Sequence, residues 1–481
     1  MPAKKKIKGK IDLGLLNSGQ KDAFTELCNF LASSNDSVYV LKGWAGTGKT
    51  YTISMLVSYV LNTIQEKNKW YKIAVTGPTN KSVRVIRKST GLSDSRVIFQ
   101  TIHKLLGLTE KITADGKQEF VPNENTIPKI NSVKLLIIDE VSMLNDDLFH
   151  EILKFRDKVK IICMGDPSQI PPVGKPDCIP FTDELADAYG IKTLVLSEVM
   201  RQKAGNYIID ASLEIRKNIG SSKSPVDPIT VLNESGEGIE FLNLSDPNVR
   251  AGFSEILGGY LRSNDFRSNP EFVKIIAWRN KTVASMNDLC RKIIYGAEDS
   301  RSKILVGEKL IANSAVVQDS SVVLNTNEEF TVERFEVKTD KISIKISDDP
   351  ISGHLKSELK YYDTSIVYYD DSDNRNRIRI EIIHEDSETE FKKILNLLKL
   401  KAIEKKGADK SWIKYYDFMR RYADVNFGYC TTCHKSQGST YTNAFVLEDD
   451  IDMNLNVVER NRIKYTAYTR ASKKLYVLKK F

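Results

Sequence analysis

Gly43-Trp44-Ala45-Gly46-Thr47-Gly48-Lys49-Thr50 is the stretch that decides the fold. It fits the pattern G-x-x-x-x-G-K-[ST], in which glycines let backbone N–H groups curl around phosphate oxygens at a helix N-terminus. The apolar run 38–41 stands immediately before it and an amphipathic stretch, 51–64, follows, so the strand–loop–helix context is present. Gly43, Ala45, Gly46, Thr47 and Gly48 are expected to cradle a nucleotide's phosphates. Lys49 is expected to reach the β- and γ-phosphates of ATP, and the Thr50 hydroxyl to hold Mg²⁺.

Outward from this loop, short apolar runs recur at 73–75, 135–138, 161–164 and 194–196, with amphipathic stretches such as 20–31 between runs. Strands buried on both faces of a parallel sheet read this way, and the alternation is that of a doubly wound α/β domain. The run 135–138 ends in Asp139-Glu140. Asp139 is expected to hold Mg²⁺ through water, and Glu140 to orient and deprotonate an attacking water. The alternative for the pair is capping after a strand. Gln169, Arg201 and Arg470 are three further groups that could sense a terminal phosphate. On chemistry alone an arginine is most often a surface residue.

At 108–113 and 117–121, two β-prone segments flank Ala114-Asp115-Gly116. Asp-Gly is a strong turn signal, so a β-hairpin is expected over about 106–128, with Phe120 on its far strand. A second α/β unit starts near Phe272 with the run 273–277 and then breaks off. Residues 320–425 are polar and β-branched, with short strands at 335–337, 342–346, 364–369 and 377–383, which suggests a small barrel. A charged helical stretch, 388–405, follows. The runs 444–447 and 475–478 return to the second α/β unit. The expected order is a basic tail 1–10, a first domain 11–202, a second domain from 203–319 and 426–481, and an insert 320–425.

A chain of 481 residues is too long for one ordinary domain, and 41% hydrophobic with 28% charged residues suits globular cores. The net charge of +8 favours a polyanionic partner over an acidic substrate, unless it reflects simple lysine usage. Six scattered cysteines suit a reducing compartment. Cys430 and Cys433 form one C-x-x-C beside His434, but no second ligand pair has zinc-site spacing. No apolar run is long enough to span a membrane. Lys4, Lys5, Lys6, Lys8 and Lys10 are not followed by the apolar segment of a secretory signal; the readings are a solvated, frayed tail, or else extra phosphate affinity or a localisation signal.

Taken in their order over about 16–478, these motifs resemble the superfamily 1 DNA helicases of the RecD-like, 5′-to-3′ branch. Leu16-Asn17-Ser18-Gly19-Gln20-Lys21 is similar to the family's Q motif, which makes Gln20 the reader of adenine. The loop 43–50 and the segment 139–143 correspond to motifs I and II. The segment 165–173, GDPSQIPPV, resembles motif III, with Gln169 as γ-phosphate sensor. Leu196-Ser197-Glu198-Val199-Met200-Arg201 resembles motif IV, and 465–471 resembles motif VI with Arg470 as the arginine finger. Facing DNA, Thr76-Gly77-Pro78-Thr79-Asn80-Lys81 resembles motif Ia, Thr101-Ile102-His103-Lys104 the segment after it, and His434-Lys435-Ser436-Gln437-Gly438 motif V. Asn280, Val283 and Asn287 match a pattern opening the second motor domain.

The resemblance implies an α/β chain of two RecA-like P-loop motor domains. A β-hairpin pin is inserted in the first, and an SH3-like β-barrel with a helical extension in the second. Trp44 stands where a small residue is common, and Asn327-Glu328-Glu329 where relatives show an Asn-Gly turn. The implied function is an ATP- and Mg²⁺-dependent DNA helicase that moves 5′ to 3′ on single-stranded DNA and opens forks in replication, recombination or repair. It would act as a cytoplasmic monomer (in the host, if phage-encoded), with a single-strand binding protein or replisome component as a further candidate partner. Thr79, Asn80, Thr101, His103, Ser436 and Gln437 are polar groups suited to backbone phosphates. Phe120, Trp278 and Trp412 could stack bases, with core packing the alternative for the tryptophans. The rival readings are an RNA helicase of the same superfamily, an ATPase subunit of a larger recombination complex, and a small-molecule kinase.

Overall fold

The computed structural model describes residues 13–63, 70–113, 118–123, 127–172, 174–198, 207–222, 226–269, 271–297, 302–318, 321–345, 354–370, 374–405 and 410–480. The basic tail 1–10, the turn Ala114-Asp115-Gly116 and Arg201 lie outside the described residues.

The first half of the chain builds one sheet. In order come α1 (Ser18–Ala32), β1 (Val38–Gly43), α2 (Lys49–Thr63), β2 (Lys72–Gly77), α3 (Asn80–Thr90), β3 (Val97–Thr101) and α4 (Ile102–Leu106). The hairpin strands β4 (Leu108–Ile112) and β5 (Gln118–Pro122) follow. Then come β6 (Val133–Ile138), α5 (Asp146–Leu153), β7 (Lys160–Gly165), α6 (Asp183–Tyr189) and β8 (Lys192–Leu196). The sheet order is β3-β2-β6-β7-β1-β8, all parallel. Alternate side chains of each apolar run go to opposite faces. Tyr39, Leu41, Leu135, Ile137, Ile162 and Met164 join one core, and Val38, Val40, Leu136, Ile138, Ile161 and Cys163 the other. Each such buried side chain contributes about 1.5–3 kcal/mol. This double burial is what made the runs continuous in sequence.

The second half repeats the plan. It contains α7 (Tyr207–Lys217), β9 (Val231–Leu232), β10 (Gly238–Asn243), α8 (Pro247–Leu261), α9 (Asn264–Ser268), β11 (Val273–Ala277) and α10 (Asn280–Tyr295). After an insert come β19 (Cys430–Thr432), α13 (Cys433–Ser436), β20 (Tyr441–Leu447), α14 (Glu448–Asp452), α15 (Val457–Tyr468) and β21 (Ala471–Lys479). The sheet order is β19-β11-β20-β21-β10-β9, parallel except for β9. β20 and β21 are the returning runs.

The insert holds β12 (Lys309–Ala312), β13 (Val316–Gln318), β14 (Ser321–Leu324), β15 (Glu329–Lys345), β16 (His354–Tyr369), β17 (Arg375–Ile383), α11 (Glu388–Glu404), α12 (Ser411–Arg421) and β18 (Val425–Phe427). Its antiparallel sheet runs β17-β16-β15-β12-β18. The expected boundaries 320–425 therefore shift: β12 begins before them and β18 runs past them, because both hydrogen-bond to each other in this sheet. The two short strands expected at 335–337 and 342–346 are parts of one, β15, paired with β16 along its described length. Among the described residues the five-stranded sheet does not close on itself. The hairpin is present as β4 and β5, with Glu110 opposite Phe120.

Candidate nucleotide site and nucleic-acid cavity

The loop after β1 has the geometry its sequence demands. Gly46 and Gly48 take φ of +83° and +80°, a region nearly closed to residues with a Cβ. A Cβ on Gly43 would fall 2.9 Å from Thr47 Oγ1. Lys49 opens α2, and its Nζ donates to the carbonyls of Gly43 and of Trp44, the latter at 3.1 Å. Gln20 is buried in a capping box: its Oε1 accepts from Asn17 N at 3.2 Å, and its Nε2 donates to the Thr47 carbonyl at 3.2 Å. Both ends of the amide expected to read adenine are thus engaged, one capping α1 and the other bracing the loop.

Asp139 and Glu140 follow β6, adjacent to β2 and β7 in the sheet. Burial and the neighbouring Glu140 charge push the Asp139 carboxyl up to about 7, against the pull of Lys49. Glu140 holds φ of +53°, a left-handed conformation costing on the order of 1–3 kcal/mol for a residue with a side chain. Such strain at a candidate base marks a position fixed by its surroundings. Gln169 is buried, and among the described residues its Oε1 has no hydrogen-bond partner.

The two sheets meet here through the segment after β7. Asp166 is fully buried; its Oδ2 accepts from Ala45 N at 3.1 Å and from the Tyr465 hydroxyl at 2.6 Å. The same hydroxyl accepts from Ala45 N at 3.2 Å. Ile170 N donates to Thr466 Oγ1 at 3.3 Å, and Gln437 Nε2 donates to the Ile170 carbonyl at 2.9 Å. Ile170 itself is buried in a core of the second sheet. The segment carrying Gln169 is therefore laced to α15 and to the turn after α13.

A magnesium nucleotide fits these residues. The glycine conformations aim backbone donors into the loop, the Asp139 carboxyl stands in a place that favours an adjacent cation, and the orphaned Gln169 oxygen needs a donor.

A cavity of about 800 Å³ lies between the two sheets and the insert. Thr79, Asn80, His434, Lys435 and Gln437, all expected to face DNA, line it. Thr79 also caps α3, accepting from Ser82 N. Gly438, at φ of +70°, approaches Ser82 so closely that a Cβ would lie 3.3 Å from the serine Cβ. This close approach brings the α3 and α13 ends together.

Residues 15–230 match a family described as AAA domain, and 427–478 match the UvrD-like helicase C-terminal domain, together more than half of the chain. The ATP-dependent DNA helicase dda of Enterobacteria phage T4 is 24% identical over 90% of this chain and 92% of its own length. The chain is similar to the RecD/Pif1-like helicases of superfamily 1. An uncharacterised protein of Acanthamoeba polyphaga mimivirus is 28% identical over 96% of this chain and 99% of that one. Among solved structures, the Pif1 helicase of Bacteroides in complex with ADP-AlF3 and ssDNA aligns over 95% of this chain and 91% of its own, at 17% identity and a TM-score of 0.44.

In this helicase several expected DNA contacts lie elsewhere. Trp412 is corrected: its ring is buried against Ala402 and Tyr416 between α11 and α12, so its faces are not open to bases. Ser436 is buried, and its hydroxyl donates to the Cys433 carbonyl at 2.7 Å, which closes a turn instead of meeting phosphate. Gln437 reaches the cavity wall but spends its amide on Ile170. Pro78, Thr101 and Asn280 do not line the cavity; Asn280 is exposed at the start of α10. His103 and Phe120 lie together outside it, ring centroids 4.6 Å apart, with Phe120 58% exposed. Trp278 packs partly buried against the second core. Asn287 locks α10 to β19, accepting from Cys430 N at 2.8 Å. Arg470 is buried and donates to the carbonyls of Thr466 and Ser439 at 2.9 and 3.0 Å, within its own domain. Asp166, Tyr465 and Thr466 are the site residues missed by sequence reasoning. All stood inside quoted motifs, but nothing in a pattern says which side chain crosses a domain boundary.

No helix among the described residues is long and apolar enough to cross a membrane. Cys430 and Cys433 are buried, and no group of three or more His, Cys, Asp or Glu among the described residues is placed to hold a metal.

Proposed function

We propose that this chain is an ATP-dependent DNA helicase that travels 5′ to 3′ on single-stranded DNA and separates duplex at a fork. The observation that carries it is the lacing of the segment 165–170. One stretch touches the phosphate loop through Asp166, carries the unpartnered Gln169 oxygen, and is bonded at Ile170 to Thr466 and Gln437. A change at the terminal phosphate is thereby mechanically joined to the cavity wall that holds His434 and Lys435.

Lys49 and the loop amides bind the phosphates, and Glu140 takes a proton from the attacking water while the Gln169 oxygen orients it. Thr50 and Asp139 would hold Mg²⁺, which would offset phosphate charge when bound. Arg470 exchanges its carbonyl partners for the γ-phosphate as the domains close. Thr79 and Asn80 grip the strand from one domain, and His434 and Lys435 from the other. Burial lowers the pKa of His434, so it meets the strand as a neutral donor. The hairpin β4–β5 acts as the pin. Its exposed Phe120, backed by His103, suits it to meet the first base pair. The insert acts as an SH3-like module whose helices α11 and α12 form the extension.

The test is steady-state ATP hydrolysis with and without single-stranded oligonucleotides, DNA and RNA in parallel. At least tenfold stimulation by DNA, larger than by RNA and abolished in Lys49→Ala, is expected. Turnover indifferent to nucleic acid, or normal in the variant, would sink the reading.

A further inference from the structure

Arg216 sits near the end of α7, a helix packed on the second sheet's core through Ile208 and Ile215. No motif points to it. Its guanidinium carbon lies 3.6 Å from the centroid of the Trp44 ring. A cation of the second domain thus rests on the first variable residue of the first domain's phosphate loop. The Trp44 carbonyl accepts from Lys49 Nζ, so the residue whose ring carries the stack is bonded through its backbone to the lysine expected to reach the β- and γ-phosphates. The Arg216 charge also acts on Tyr465, whose hydroxyl touches Asp166 and Ala45 N. Its Nη1 is buried and, among the described residues, has no hydrogen-bond partner.

An indole face attracts a guanidinium but offers it no acceptor. A staple between α7 and the loop would need only the stack, and burying an unpartnered charged donor works against stability. An oxygen-rich anion arriving at the loop resolves that conflict, because a guanidinium nitrogen donates well to phosphate.

We infer that Arg216 is a γ-phosphate contact of the bound nucleoside triphosphate, with Trp44 as the positioning residue that holds its guanidinium over the loop. The inference rests on reading Gly43–Thr50 as the nucleotide site. A triphosphate satisfies Nη1 and a diphosphate ends one group short, so Arg216 makes the cleft distinguish the two. The Trp44 ring is what lets a helix of the second domain reach the loop.

The test is equilibrium binding of ATPγS and of ADP, each with Mg²⁺, to the full chain, read by displacement of a fluorescent nucleotide. Arg216→Gln is expected to weaken ATPγS binding at least tenfold and ADP binding less than twofold. Trp44→Ala should show the same selective loss to a smaller degree, and Trp44→Phe, which keeps a ring, should retain most of the affinity. Equal weakening of both nucleotides, or of neither, overturns the inference. Arg216→Lys carries the same test if the glutamine variant does not fold, since it keeps the charge but loses the planar fork. If the unaltered chain binds neither nucleotide, the reading of the loop has failed; if it binds both and the variants match it, only the role of Arg216 has.

Discussion

Glu140 is held at a positive φ, and Tyr465 shares one carboxylate oxygen with a loop amide. These two residues bear the most local consequences. Glu140→Gln keeps the shape and removes the base, so nucleotide binding should persist while kcat falls by a factor of roughly 100 or more. Binding and turnover measured on the same preparation check it, and retained turnover excludes Glu140 as the base. Tyr465→Phe removes a buried hydroxyl and leaves the Asp166 oxygen with the Ala45 amide alone. It should cost about 1–2 kcal/mol in urea unfolding and reduce the stimulation of hydrolysis by DNA; unchanged stimulation would separate this bond from coupling. At this scale the sequence was legible wherever a motif fixes backbone, as at Gly43, Gly46 and Gly48. It was silent where the role depends on a partner far along the chain. Gln437 looks like a phosphate ligand in its motif but holds Ile170, and Arg216 is one charged residue of an ordinary amphipathic helix.

Among the elements, the turn between β14 and β15 has the clearest part. Asn327 takes φ of +63° itself, a conformation asparagine tolerates, so the turn forms without the glycine seen in relatives. The two following carboxylates then reach across: Glu328 pairs with Arg84 of α3, and Glu329 lies 3.4 Å from Lys81 and 3.1 Å from Lys274 of β11. One glutamate joins the insert to both motor domains. Burial opposes its ionisation, but the Lys274 and Lys81 charges outweigh that and hold its pKa at about 2. Glu329→Gln takes the carboxylate from two lysines, leaving Lys274 the Gly428 carbonyl and Lys81 the Tyr441 hydroxyl, and should cost about 3–5 kcal/mol. Because the folded pKa lies below the ordinary value of 4.5, this contribution is complete above about pH 4.5 and lost as pH falls toward 2. The difference between variant and parent in urea unfolding should narrow over that window; a constant difference would refute the ion-pair origin. For the hairpin, Phe120→Ala should slow unwinding several-fold and leave DNA-stimulated hydrolysis nearly intact, and equal losses would refute a pin role. Strands buried on both faces were legible as apolar runs. β15 was not, because a long two-stranded ribbon exposes half its residues and its polar positions read as breaks. β12 and β18 escaped because three or four residues carry too little pattern.

At the scale of the whole molecule, two parallel sheets face one another across a loop that carries phosphate chemistry, and a third, antiparallel sheet closes a cavity beside them. Opening one base-pair step costs about 1.4 kcal/mol on average, a modest load for the hydrolysis of one ATP. The bonds from Asp166 to Tyr465 and from Ile170 to Thr466 and Gln437 are the route by which closure of the cleft would move the cavity wall. The apolar runs announced two α/β units, and each has its sheet. The bonding of the segment 165–170 to α15 and to the turn after α13 is a tertiary fact that no local pattern encodes. The measurement that tests the central claim most directly is ATP-dependent unwinding of two matched DNA forks, one with only a 5′ tail and one with only a 3′ tail. Strand separation on the 5′-tailed fork alone, lost without ATP and in Lys49→Ala, is the expected result. Separation on neither fork, or on the 3′-tailed fork alone, would contradict it.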